Sequence, residues 1–148
     1  MNKDKTLKRM VILMIEDNPV DVLLIKEALS YTKILNDLHV RENGSDAMAF
    51  LLKHEQHAQA PRPDIILLDL NLPGMKGNEI LNKIKHDIEL QSIPIIIFSS
   101  SDRTQDVNYA YNHYANSYIK KPEDFDGYTN IIRGIYDFWF GLAELPRH

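Results

Sequence analysis

Ile65-Ile66-Leu67-Leu68-Asp69-Leu70-Asn71-Leu72-Pro73-Gly74 is an apolar run closed by an acid and then by a chain-breaking cluster. The pattern has a counterpart nearer the N-terminus, where Val11-Ile12-Leu13-Met14-Ile15 leads into Glu16-Asp17 and then Asn18-Pro19. Short, β-branched, continuously apolar runs bounded by turn residues read as strands buried on both faces, and such strands imply a parallel sheet. The acids then stand at strand ends, where open α/β sheets bind their ligands. Three carboxylates converging in one cleft repel one another unless a proton or a cation intervenes. With only oxygen ligands on offer the expected ion is hard, Mg²⁺ with Mn²⁺ as an alternative, and Mg²⁺ is usually shared between carboxylates, water and phosphate oxygens. The chemistry expected at this cleft is therefore that of phosphate.

Composition narrows the class. A chain of 148 residues is expected to form one domain with a single substantial core. Its formal charge of −4 leaves no basic footprint for nucleic acid, and the one cationic cluster, Lys3, Lys5, Lys8 and Arg9, reads as a solvated, flexible tail over residues 1–9. The absence of cysteine excludes a disulfide framework, a thiolate nucleophile and a zinc–thiolate site, which fits a cytoplasmic protein. No apolar stretch approaches the roughly 20 residues that span a bilayer, so no membrane association is expected.

Strand-like and helix-like patterns alternate five times. The first strand, 10–15, leads to a helix announced by Asn18 as N-cap, Pro19 at the first helical position and Asp21 in the first turn, with Val22, Ile25 and Leu29 inward. A weaker strand at 38–41 ends at Asn43-Gly44, after which Ser45 or Asp46 is expected to cap a helix bearing Ala47, Phe50 and Leu51. Residues 54–63 read as a helix end and loop, and 64–68 as the third strand. Gly77-Asn78 opens a helix with Ile80, Leu81, Ile84 and Ile88 at helical spacing, and Pro94 precedes the fourth strand, 95–98. Ser99-Ser100-Ser101-Asp102 reads as a capping signal for a helix reaching about 115. The fifth strand is 117–120, and Asp124 starts a last helix carrying Ile131, Ile132, Ile135, Phe138, Trp139 and Leu142. Regular β-α alternation with right-handed crossovers predicts a doubly wound five-stranded parallel sheet with helices on both faces.

At this point the chain resembles the receiver domains of two-component response regulators. The resemblance is carried by Glu16-Asp17 after the first strand, Asp69 within Leu-Leu-Asp-Leu-Asn-Leu-Pro-Gly, Ser99 after the fourth, and Lys121-Pro122 after Tyr118. Within that family it is most similar to the small stand-alone regulators that partner phytochrome-type histidine kinases, through the loop before Pro61-Arg62-Pro63, the Leu-Asn-Leu-Pro sequence and the aromatic Phe138-Trp139 ending near Leu145-Pro146. The resemblance implies a flavodoxin-like strand order, 2-1-3-4-5, and a single receiver domain over 10–148 with no output domain. It implies that Asp69 is the phosphoacceptor, taking a phosphoryl group from a sensor histidine kinase. Asp17, Asp69 and the Asn71 backbone carbonyl would bind Mg²⁺ or Mn²⁺, with Glu16 acting through water. Lys121, rather than the adjacent Lys120, would meet a phosphate oxygen, and its bond to Pro122 is open to the cis form. Ser99 and Tyr118 look like a switch pair that reports phosphorylation to the face of helix four, strand five and helix five. Signalling would then pass by contact with a downstream protein or by phosphorelay to a phosphotransfer domain.

Two other function classes share parts of this pattern. A phosphohydrolase with an aspartate nucleophile commonly carries a second acid two residues on, where this chain has Asn71, and commonly needs a cap domain. A receiver-like binding module that is never phosphorylated would usually lack a site residue, and none is missing. The expectation is therefore of no enzyme, beyond slow cleavage of the protein's own acyl phosphate. Among blander features, His54-x-x-His57 reads as a solvated helix end rather than a metal site. Tyr136, Phe138, Trp139 and Phe140 exceed what one buried stripe needs, so at least one ring should project outward, and a homodimer through helix four, strand five and helix five is expected.

Overall fold

The computed structural model describes residues 9–146; the lysines of the expected N-terminal tail lie outside the described residues. Five strands alternate with five helices: β1 (Met10–Ile15), α1 (Pro19–Thr32), β2 (Asn36–Arg41), α2 (Gly44–Leu52), β3 (Ile65–Leu68), α3 (Gly77–Lys85), β4 (Ile95–Ser99), α4 (Thr104–Asn112), β5 (Ser117–Lys120) and α5 (Phe125–Tyr136). The strands form one parallel sheet in the order β2-β1-β3-β4-β5. This is the doubly wound, flavodoxin-like arrangement expected, and the order in which strands are added to the sheet reverses between β1 and β3.

Strand residues serve the two faces alternately, as a period of two requires. Met10, Ile12, Met14, Ile65, Leu67, Ile96 and Phe98 pack against α1 and α5, through Ile25, Ala28, Leu29, Tyr128, Ile132 and Ile135. Leu13, Ile15, Ile66, Leu68, Ile95 and Ile97 pack against α2, α3 and α4, through Ala47, Phe50, Leu51, Ile80, Leu81, Ile84 and Ala110. The three interior strands, β1, β3 and β4, are thus covered above and below.

Several boundaries differ from those expected, each for a local reason. Asn43, not Ser45 or Asp46, caps α2, its side chain accepting from the Asp46 N–H. Helix α3 stops at Lys85, and Ile88 is 83% exposed, because Asp87 accepts from the Glu89 and Leu90 N–H groups in a turn that buries Leu90 instead. The serine run does not cap α4. Ser99 completes β4, while the Ser101 hydroxyl accepts from the Arg103 N–H and donates to Asp106, building a turn from which α4 starts at Thr104. That helix ends at Asn112, before Tyr114 takes a φ of 74°. His57 is buried, not solvated, in a 3-10 turn (Glu55–His57), with its Nε2 2.7 Å from Asp46 Oδ1. Beyond Tyr136 the last helix widens into a π-helical turn, Asp137–Leu142, where Phe138 is 50% exposed while Trp139 and Phe140 lean on the α1/α5 side of the core. No helix among the described residues is long and apolar enough to cross a membrane.

Candidate functional site

Glu16, Asp69 and Lys121 each follow directly on a strand, and the neighbouring strand holds their backbone. The Glu16 N–H donates to Arg41 O of β2, the Asp69 N–H to Ile15 O of β1, and the Lys121 N–H to Ser99 O of β4. The parallel ladder therefore runs one residue past the strands proper. That fixes the three Cα positions before any side-chain contact is made. Asn18 caps α1 by accepting from the Val20 and Asp21 N–H groups, so the first turn of α1 rises at the rim beside Glu16.

Glu16, Asp17, Asp69, Asn71, Lys120 and Lys121 line one open cleft of about 820 Å³ at this end of the sheet. Carboxylate oxygens of Glu16, Asp17 and Asp69 lie within 4.8 Å of one another, the one such cluster of acids and imidazoles among the described residues. Glu16 is 1% exposed, Asp69 is buried and Asp17 faces solvent. Lys121 Nζ is 2.7 Å from Asp21 Oδ2, 2.9 Å from Glu16 Oε1 and 3.6 Å from Asp69 Oδ1, and 5.8 Å from the centre of the Phe98 ring. Lys120 points elsewhere, pairing at the surface with Asp102 at 3.2 Å. The Lys121-Pro122 bond is trans, as are all peptide bonds among the described residues.

The cleft holds more negative than positive charge: Glu16, Asp17, Asp21 and Asp69 surround one buried ammonium. Burial pushes the Glu16 carboxyl up to about 7, with Asp69 adding to the rise and Lys121 opposing it. Burial alone would lower Lys121, but its bonds to Asp21 and Glu16 outweigh that and hold the ammonium above its ordinary range. Glu16 is thus raised chiefly by its burial, and Lys121 by the acids around it. Glu16 Oε1 is buried without a hydrogen bond, its contact with Lys121 being an ion pair only. Three carboxylates within 4.8 Å of one another, all of them hard donors and matched by a single buried ammonium, fit a divalent cation such as Mg²⁺ or Mn²⁺.

Not all the expected residues meet here. Ser99 is fully buried, its hydroxyl accepting from the Ser101 N–H, and the serine on the cleft wall is Ser100. Tyr118 is half-buried against the α2/α3/α4 side of the core, its hydroxyl donating to Ser101 O at 2.8 Å. The pair thus shares a partner in the β4–α4 turn without lining the cleft. Asp21 and Tyr128 do line it, the tyrosine hydroxyl donating to Asp21 Oδ1 at 3.2 Å. The sequence marks Asp21 only as a first-turn helix acid and does not single out Tyr128. Nothing in their spacing tells that α1 and α5 lie side by side.

A family model described as the response regulator receiver domain matches residues 12–133. Response regulator Rcp1 of Synechocystis sp. is 36% identical over 136 residues, covering 92% of each chain. The crystal structure of the phosphorylated cyanobacterial phytochrome response regulator RcpA superimposes with a TM-score of 0.88 at 38% identity, over 95% of this chain and 100% of that one. The Mn²⁺-bound form of Rcp1 does so at 0.85 and 36%, over 93% and 99%.

Proposed function

Because this chain belongs to the response regulator receiver family, a signalling rather than an enzymatic family, and has a phosphoacceptor role, we propose that Asp69 is the residue that accepts the phosphoryl group. One observation carries this: Asp69 is buried at the end of a central strand with Lys121 Nζ 3.6 Å from its Oδ1 and the Glu16 and Asp17 oxygens beside it. A carboxylate oxygen of Asp69 attacks phosphorus, the bond from phosphorus to the donor breaks, and an aspartyl phosphate results. The transferring group is stabilised mainly by position and by neutralised charge. Lys121 supplies a fixed positive charge for one phosphoryl oxygen. Glu16, Asp17, Asp69 and the Asn71 carbonyl would hold Mg²⁺ or Mn²⁺, which when bound neutralises charge on the phosphoryl oxygens. The Mn²⁺-bound form of Rcp1 supports this for a relative that is 36% identical.

On this reading the donor is a sensor histidine kinase, of phytochrome type by likeness to RcpA. The chain acts in the cytoplasm as a single-domain regulator and signals by contact with a downstream protein or a phosphotransfer domain. Ser99 and Tyr118 form the switch. A doubly charged group on Asp69 draws the Ser99 hydroxyl towards it, and the change passes to Tyr118 through the Ser101 turn both residues touch. The phosphate is then lost by slow self-hydrolysis. Incubation with a small phosphodonor and Mg²⁺ should add one phosphoryl group, seen by intact mass, and Asp69→Asn should abolish it. Labelling of Asp69→Asn at the wild-type level would refute the assignment.

A further inference from the structure

We propose that Asp21, oriented by the Tyr128 hydroxyl, is the positioning residue for Lys121, holding its ammonium on the α1 side of the cleft so that one N–H remains for a phosphoryl oxygen on Asp69. This rests on the phosphoacceptor reading of the cleft. An ammonium has three donors, and here three carboxylates compete for them. The contact with Asp21 is the shortest, at 2.7 Å, and is the one with hydrogen-bond geometry; Glu16 and Asp69 are ion-pair neighbours at 2.9 and 3.6 Å. The anchor of Lys121 is therefore not among the metal-site acids.

Asp21 is itself held from two sides. Its backbone is set by the Asn18 cap, and its second oxygen accepts from Tyr128, a buried side chain whose ring meets Phe98 edge-on at 5.8 Å. Phe98 also lies under the Lys121 ammonium. Groups from α1, α5 and β4 thus fix one lysine tip. A free lysine is a flexible point charge, and phosphoryl transfer depends on where such charges stand. The alternative role for Asp21 is purely local, an acid in the first turn favouring the helix start. That role would not depend on Lys121, and the difference can be measured.

The experiment follows initial phosphorylation rates with phosphoramidate and Mg²⁺ by intact mass, on the full chain. Asp21→Ala should slow the reaction about tenfold, as loss of a positioning contact does. Asp21→Asn, which keeps an acceptor for Lys121 and meets the Tyr128 hydroxyl with an amide NH2 that donates to it, should stay within about threefold of wild type. In a Lys121→Ala background, followed over hours, Asp21→Ala should change the residual rate by less than about twofold, because residues acting as one unit are not additive. Tyr128→Phe keeps the ring against Phe98 and should lose about threefold, again only while Lys121 is present; it serves if thermal melting shows Asp21→Ala to be unfolded. A wild-type rate in Asp21→Ala, or the same loss with and without Lys121, would overturn the proposal. Failure of the wild type to label on Asp69 would instead refute the phosphoacceptor reading, so the two failures are distinguishable.

Discussion

Lys120 and Lys121 are neighbours in the sequence with opposite surroundings. Lys121 is enclosed by acids, whereas Lys120 is exposed and paired with Asp102 at the surface, an arrangement that contributes little to stability. Lys121→Ala should therefore leave Mg²⁺ affinity within about threefold of wild type yet uncouple phosphorylation from the switch, since a positioned charge acts on the phosphoryl oxygens rather than on the cation. Lys120→Ala should behave as wild type in both. The measurements are a Mg²⁺ titration and the NMR signals of the Tyr118 ring with and without beryllofluoride. The reverse pattern would mean that the site takes its charge from the other side of β5, a shift of one residue along a strand.

The helix starts carry the site as much as its side chains do. Gly77 opens α3 so close beneath β3 that an added Cβ would lie 2.6 Å from Leu70 Cα and closer still to the Asp69 carbonyl oxygen. Neither atom can move without moving the phosphoacceptor's own backbone. Gly77→Ala should cost about 2 kcal/mol of stability, as overpacking does, and should slow labelling of Asp69 beyond what stability alone explains. Denaturant unfolding and intact-mass kinetics measure the two effects. At the other wall Asn18→Ala removes the acceptor for the Val20 and Asp21 N–H groups. It should lower stability by about 1 kcal/mol and loosen Asp21, so that its effect on the phosphorylation rate should resemble a mild form of Asp21→Ala.

Across the sheet, β5 is an edge strand, and the groove between it and α5 is apolar, lined by Ile96, Ile119, Ile131, Ile135, Phe138 and Trp139. Half of Phe138 faces solvent. Apolar burial contributes about 25 cal/mol per Å², so a two-fold pairing of this α4, β5 and α5 face has a driving force; Tyr118, on β5 but packed towards α4 on the other side of the sheet, is the residue through which phosphorylation would tighten it. Sedimentation at micromolar concentration should show a dimer that tightens with beryllofluoride and weakens in Trp139→Ala. A monomer in both conditions would refute the pairing, leaving the groove as a docking place for a different protein.

Strand identity, the parallel sheet and the acidic cleft were legible because each rests on short-range chemistry. Buried strands must be apolar throughout, helices must start on groups that satisfy free N–H donors, and an acid placed directly after a strand can stand only at its end. Glu16, Asp17 and Asp69 were visible for that reason, whereas Asn71 and Lys121 came only with the family resemblance. Local patterns were misleading where two chemistries share one signal. The serines after β4 could cap a helix or build a turn, and Asp106, within reach of Ser101, made it a turn. Ile88 kept the helical spacing yet lay past a chain end that Asp87 imposed. His57 looked solvated until the fold set Asp46 beside it. Neither Asp21 nor Tyr128 carried a signal of its place at the cleft, because Asp21's partners, Lys121 and Tyr128, are 100 and 107 residues away along the chain and come within reach only when α1 and α5 pack on the same face of the sheet. A sequence pattern reports the periodicity of its own neighbourhood; contacts between elements that share no neighbourhood exist only once the sheet has brought them together.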